Sequence, residues 1–147
     1  MSINNNKVIF FGNGGSASIA SHQAIDFWKN GGIRAVSFND SSLLTCISND
    51  YSYEEVFSKP IEMFADEGDI VIAISSSGNS ENIINASKMA KEKGCFLVTM
   101  SGFENDNKLI KLGDINFYLD NCSYGIVEIG HSMISHFIID KYIAEIK

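Results

Sequence analysis

Cysteine is scarce in this chain and carries no pairing pattern. Cys46, Cys95 and Cys122 are odd in number, lie far apart and form no C-x-x-C pair. That argues against a disulfide framework and for a reduced, cytoplasmic setting. Positive charge is also short: 11 Lys and Arg stand against 18 Asp and Glu, a net charge of −7. Nucleic acid and anionic membrane are poor partners for such a surface, and any anionic ligand must be held locally. No apolar run reaches the length of a membrane span, and Met1 to Lys7 is polar, without a signal-peptide core. Repeats, low-complexity segments and linkers are missing too. The single proline, Pro60, falls inside a helical stretch from Glu54 to Phe64, which it is expected to kink or split.

What is present is a strand-and-helix alternation. The 147 residues, 45% of them hydrophobic, suit one domain with a real core. Ile70 to Ile74 is a β-branched apolar run, too short for a buried helix, and reads as a strand covered on both faces. Ser75-Ser76-Ser77-Gly78-Asn79-Ser80 follows it, and a helix from Glu81 to Lys93 comes next. The hydroxyls of Ser75, Ser77 and Ser80 thus sit at a strand-to-helix turn. There the first helical amides are unpaired and the helix dipole favours an anion. A phosphate monoester suits that site; the plainer alternative is that these residues only cap and turn the chain. No lysine follows the glycine, so this is not a Walker A loop.

A second such turn stands near the start. Lys7 to Phe11 reads as a strand, Gly12-Asn13-Gly14-Gly15-Ser16 follows, and a helix runs from Ala17 to Lys29. Alone it reads equally as a tight turn, and it is not the G-x-G-x-x-G pattern. Beside the serine loop on neighbouring strands, it would face one crevice. On this helix His22 and Asp26 share a face, as metal ligands, as a carboxylate orienting an imidazole, or as a solvated surface pair.

Further strands are expected at 33–38, 95–100 and 114–119. Helices are expected at 43–48 and 108–112, with 49–53 a polar loop whose tyrosines line a pocket or cover the core. A long last helix spans Tyr124 to Ile146, with an apolar stripe of Ile126, Ile129, Met133, Phe137, Ile138, Tyr142 and Ile146. It also carries Glu128, His131 and His136. Glu128 and His136 lie about 80° apart around the helix and can share a face; His131 lies about 140° from His136. The alternation predicts an α/β fold: a three-layer α/β/α sandwich around a five-stranded parallel sheet of order 2-1-3-4-5, flavodoxin-like.

Taken together, GNGGS at 12–16, His22, Asn49-Asp50, Tyr53 to Phe57, Gly68-Asp69, ISSSGNS at 74–80, Glu128 and His136 resemble the sugar isomerase (SIS) domain family. More narrowly they resemble its phosphoheptose isomerase branch, and the likeness runs from residue 7 to about 143, as one SIS domain over 1–147. The resemblance implies interconversion of sedoheptulose 7-phosphate and D-glycero-D-manno-heptose 7-phosphate, in precursor synthesis for lipopolysaccharide or capsule. It implies phosphate binding by Ser16, Ser75, Ser77 and Ser80, and sugar contacts from Asn13, Gly14, Asn49, Asp50 and Ser76. A metal set of His22, Asp26, Glu128 and His136, holding Zn²⁺, is implied as well, with Asp26 and His136 as base and acid. The expected partners are a phosphorylated sugar and further copies of the chain, as dimer or tetramer.

The sequence departs from that pattern at four places. Asp26 stands where the family usually has Glu, and Glu128 where it usually has Gln. The family's Arg-Ile-Gln-Glu run reads Ile126-Val127-Glu128-Ile129 here, without the arginine, and most of the family's N-terminal helical segment is not matched. The alternative activity is a non-catalytic SIS module that binds a sugar phosphate as sensor or assembly protein.

Overall fold

In the computed structural model, which describes residues 6–146, five parallel strands form one sheet. They are β1 (Val8–Gly12), β2 (Ala35–Ser37), β3 (Ile70–Ile74), β4 (Phe96–Gly102) and β5 (Ile115–Leu119), in the order β2-β1-β3-β4-β5. Most of the polar stretch from Met1 to Lys7 lies outside the described residues. The sheet order agrees with the sequence expectation; helices fill the crossovers up to β4, and a loop with a 3₁₀ turn at Leu109–Lys111 carries the chain from β4 to β5.

Successive strand residues point to opposite faces. Ile9, Phe11, Val71, Ala73 and Leu97 therefore pack beneath α2 (Ser41–Asp50), α3 (Ser58–Phe64) and α4 (Glu81–Glu92). Val8, Phe10, Ile72, Ile74, Val98 and Met100 pack beneath α1 (Gly15–Lys29) and α5 (Tyr124–Ile146). Both faces are covered, which is why β1 and β3 read as unbroken apolar runs rather than alternating ones.

Element edges moved for local reasons. The Asp40 side chain accepts from the amides of Ser42 and Leu43, at 3.0 and 3.2 Å, so α2 starts at Ser41 rather than Leu43. The same helix runs on through Asn49 and Asp50, which were expected in a loop. The stretch 54–64 does split, but ahead of Pro60. A 3₁₀ turn at Tyr53–Glu55 gives way to α3 around the buried Val56 and Phe57. Pro60 is the third residue of α3, where a missing amide hydrogen costs nothing.

The apolar stripe expected on α5 is corrected in part, since of its members Ile138 and Tyr142 do pack against the core. Ile126, Ile129, Met133 and Phe137 are 57–72% exposed, whereas Val127, Gly130, His131, Ser135 and Ile139 face the sheet. This helix is apolar on both sides, so its period could not say which side would be buried. The smaller side lies close to β4, with Ser135 Oγ 3.6 Å from Met100 Sδ.

His131 is fully buried, with Nε2 3.1 Å from the Ser101 carbonyl and no partner for Nδ1 among the described residues. Burial pulls its pKa below the ordinary histidine value, partly opposed by the Ser101 carbonyl. A neutral imidazole is thus what the fold accepts. Its stabilising contribution is complete above the unfolded value of about 6.5 and declines as pH falls below it. Urea unfolding at pH 7.5 and pH 5 should show that loss, and His131→Asn should flatten the difference.

Candidate active site

The site is built where β1 and β3 lie side by side and their crossovers leave in opposite directions. Ligands in open α/β sheets bind at such a switch point, beyond the carboxyl ends of the strands. Three helices begin there. The Gly14–Ser16 turn opens α1, Ser80 precedes α4, and Tyr124 opens α5. Neither α1 nor α4 receives a side-chain cap, so neither spends a hydroxyl on its own amides. That decides against the capping alternative for Ser80.

The cleft between these starts has a volume of about 230 Å³ and is lined by Asn13, Gly14, Gly15, Ser16, Ser75, Ser76, Ser77, Ser80, Tyr124 and Glu128. Among the described residues, no lysine or arginine lines it. An anion here would meet amide dipoles and hydroxyls, with the Glu128 carboxylate beside them.

Local bonds set the serine loop. Ser75 Oγ accepts from the Gly78 amide at 3.2 Å, and Ser77 Oγ accepts from the Asn79 amide at 3.3 Å. Each hydroxyl keeps its own hydrogen for a ligand. Ser76 Oγ is buried without a partner among the described residues. Gly78 has φ 63°, and a Cβ there would run into the Asn107 amide group, so the turn demands glycine.

Asn13 and Asn82 join the two loops by a reciprocal amide pair, each Nδ2 donating to the other's Oδ1 at 2.9 Å. The Tyr53 hydroxyl also donates to Asn13 Oδ1, at 3.1 Å. Sequence reasoning missed Asn82 and Tyr124. An asparagine in the first turn of the helix that follows the serine loop was the available signal for Asn82. Tyr124 gave none, because it reaches the cleft only by starting α5 there.

The sequence-predicted residues divide into three groups. Ser16, Ser75, Ser76, Ser77, Ser80, Asn13 and Gly14 all line the one cleft. Asn49 and Asp50 do not. They end α2, exposed, with Asn49 Nδ2 donating to Asp50 Oδ1 at 2.9 Å.

His22, Asp26 and His136 form a separate cluster where α1 and α5 run side by side. Asp26 Oδ2 is 3.3 Å from His22 Nε2 and 3.6 Å from His136 Nδ1. One donor atom from each of the three lies within 4.8 Å of the others. Two imidazoles and a carboxylate suit a zinc-type ion with an open position. Glu128, the fourth residue of the expected metal set, lies outside this cluster. It stands eight residues before His136 on α5, and its carboxylate packs on the α-carbon of Gly15, where any side chain would collide with it.

At a rise of 1.5 Å per residue, His22 and Asp26 lie about 9 and 15 Å along α1 from Ser16. The cluster is thus offset from the cleft by roughly the span of a sugar chain.

The comparisons with known proteins agree with this arrangement. Residues 1–102 match the SIS domain family. Phosphoheptose isomerase of Cytophaga hutchinsonii is 39% identical over 140 residues, covering 90% of this chain and 72% of that one. The Helicobacter hepaticus phosphoheptose isomerase is 38% identical over 144 residues, covering 93% of this chain and 72% of that protein. The solved structure of phosphoheptose isomerase from Neisseria gonorrhoeae is similar with a TM-score of 0.91 at 31% identity, over 97% of this chain and 78% of that one. The chain belongs to the SIS domain family, in its phosphoheptose isomerase branch.

Proposed function

We propose that this chain, acting as one SIS domain, is an aldose–ketose isomerase. It converts sedoheptulose 7-phosphate to D-glycero-D-manno-heptose 7-phosphate, a precursor for surface polysaccharide. The observation that carries the reading is the serine cleft, with three helix starts and no basic side chain, set one sugar length from a His–Asp–His cluster.

Ser16, Ser75, Ser77 and Ser80 grip the phosphate, and Asn13, Gly14 and Ser76 meet the adjoining hydroxyls. Isomerisation moves protons between neighbouring carbons and oxygens through an enediolate. Asp26 and His136 form a carboxylate–imidazole pair able to exchange such protons. His22, Asp26 and His136 would hold a zinc ion, which when bound supplies Lewis-acid polarisation of a sugar oxygen.

A homo-oligomer fits the same surface. The exposed Ile126, Ile129, Met133 and Phe137 make an apolar stripe beside His136, and a second copy of the chain is the occupant we assign to it. Among the described residues no helix is long and apolar enough to cross a membrane, and the cysteines are free, which supports a cytoplasmic setting.

The test is an NMR assay with sedoheptulose 7-phosphate on zinc-loaded protein. Turnover is expected, and Asp26→Asn should lower kcat by roughly 10²- to 10⁴-fold, the usual share of a proton-transfer group. Binding of the sugar phosphate without turnover would assign the chain instead to non-catalytic SIS modules.

A further inference from the structure

Glu128 is the acidic side chain among those lining the serine cleft, and it stands at the phosphate end. It lies one helical turn into α5, half-buried, with its carboxylate over the α-carbon of Gly15. Gly15 is the first residue of α1, so the carboxylate sits beside a helix start whose unpaired amides favour an anion. It makes no hydrogen bond or ion pair with the described residues. Among those residues the cleft has no lysine, arginine or histidine, and Tyr124 is its other titratable side chain.

An ionised carboxylate can only accept hydrogen bonds. The amides and serine hydroxyls around it can donate. Ser76, 6% exposed, holds a hydroxyl still without a partner among the described residues. An anion whose oxygens are all acceptors gains from these donors but is repelled by Glu128. An anion that carries its own proton gains from the same donors and can donate to the carboxylate as well. Such charge-assisted hydrogen bonds are short and about twice as strong as neutral ones.

Resting on the sugar-phosphate reading of this cleft, we infer that Glu128 is a specificity-determining residue, whose carboxylate accepts a hydrogen bond from a protonated phosphate oxygen and turns sulfate away. A phosphate monoester loses its last proton near about pH 6, so the form selected is the monoanion. The bound pair then holds one proton between two oxygens, where the dianion would bring none. Single rather than double charge also lowers the cost of drawing the ligand out of water, in a cleft with no cation to pair with it.

Hydrogen phosphate and sulfate separate the two cases. In mildly alkaline buffer both are doubly charged tetrahedral ions, and only the first carries a proton. Calorimetric titration of the wild-type protein should show inorganic phosphate binding more tightly than sulfate by roughly 10- to 100-fold, the contribution of one hydrogen bond to a charged group. In Glu128→Gln the amide offers a donor as well as an acceptor, so sulfate should bind about as tightly as phosphate. Glu128→Ala offers neither and should level the two as well. Phosphate binding retained in both variants reports an intact cleft. Added sulfate should then raise the melting temperature of the variants and leave that of the wild type in place.

Sulfate bound by the wild type as tightly as phosphate, or a phosphate preference unchanged in both variants, overturns the assignment. So does phosphate binding lost from variants that remain folded. Phosphate binding abolished by a metal chelator overturns it in favour of a divalent cation bridging Glu128 and the ligand. In each of these cases sugar-phosphate turnover by the wild type leaves the isomerase reading standing. Wild-type protein that binds neither anion and turns over no sugar phosphate overturns both.

Discussion

Replacing Ser75 and Ser77 together by alanine should weaken binding of inorganic phosphate and of sugar phosphate by roughly a hundredfold or more. A hydrogen bond to a charged group contributes about 1.5–3 kcal/mol, and about 1.4 kcal/mol is a factor of ten. In most phosphate sites a lysine or arginine would soften such a loss. Here none lines the cleft, so each hydroxyl carries a larger share. The fold should survive, because the Gly78 amide still reaches the Ser75 carbonyl, at 3.2 Å, when the Ser75 hydroxyl is gone. Calorimetric titration with phosphate measures the effect directly. Undiminished affinity in the double variant would remove the serine loop from the site.

The largest stability effect is expected at the other end of the sheet. Asp69 precedes β3 with its side chain fully buried, 2.6 Å from Lys7 Nζ. Its carboxylate also accepts from the amides of Lys7 at 2.9 Å and Asp66 at 2.8 Å. These bonds tie the entry of β1 to the entry of β3, the pair on which the switch point depends. Asp69→Asn leaves the mostly buried Lys7 ammonium with only the exposed Asp66 carboxylate, at 2.7 Å, and breaking a buried pair from one side costs at most about 3–5 kcal/mol. The melting temperature should drop by about 10 °C.

The pH dependence has a definite sign. Burial raises the Asp69 pKa, but the Asp66 and Lys7 amides and the Lys7 ammonium outweigh it and hold the carboxyl below its ordinary value. Its stabilisation is therefore complete above the unfolded pKa of about 3.9 and lost as pH falls through the lowered folded value. Wild type and Asp69→Asn should differ fully at pH 7 and converge in strong acid. A melting temperature unchanged by the substitution at pH 7 would show that the pair contributes nothing net.

How much of this was legible depended on the distance over which a signal acts. Strands β1 and β3 and the two turns behind them announced themselves by local composition. A run such as Ile70–Ile74 can only be a strand buried on both faces, and glycines and serines before a helix leave its amides open. The start of α2 was misread by two residues because Asp40 caps it, a choice visible only in the hydrogen bonds. The α5 stripe was misassigned in part because a helix apolar all round offers two candidate core faces. Only contact with β4 chose the one with Gly130 and Ser135.

The candidate site shows the same division. The sequence by itself determined the α/β class, the sheet order and the two serine- and glycine-rich loops. Each follows from the nearest few residues and from the handedness of crossovers. Tertiary structure decided which acids and imidazoles meet. Helical spacing allowed Glu128 to join His136 or to leave it, and the packing of α5 against α1 sent its carboxylate to Gly15. The same packing brought Asp26 between His22 and His136. Side chains a hundred residues apart in the chain meet only where two helices lie side by side, and no local periodicity encodes that distance.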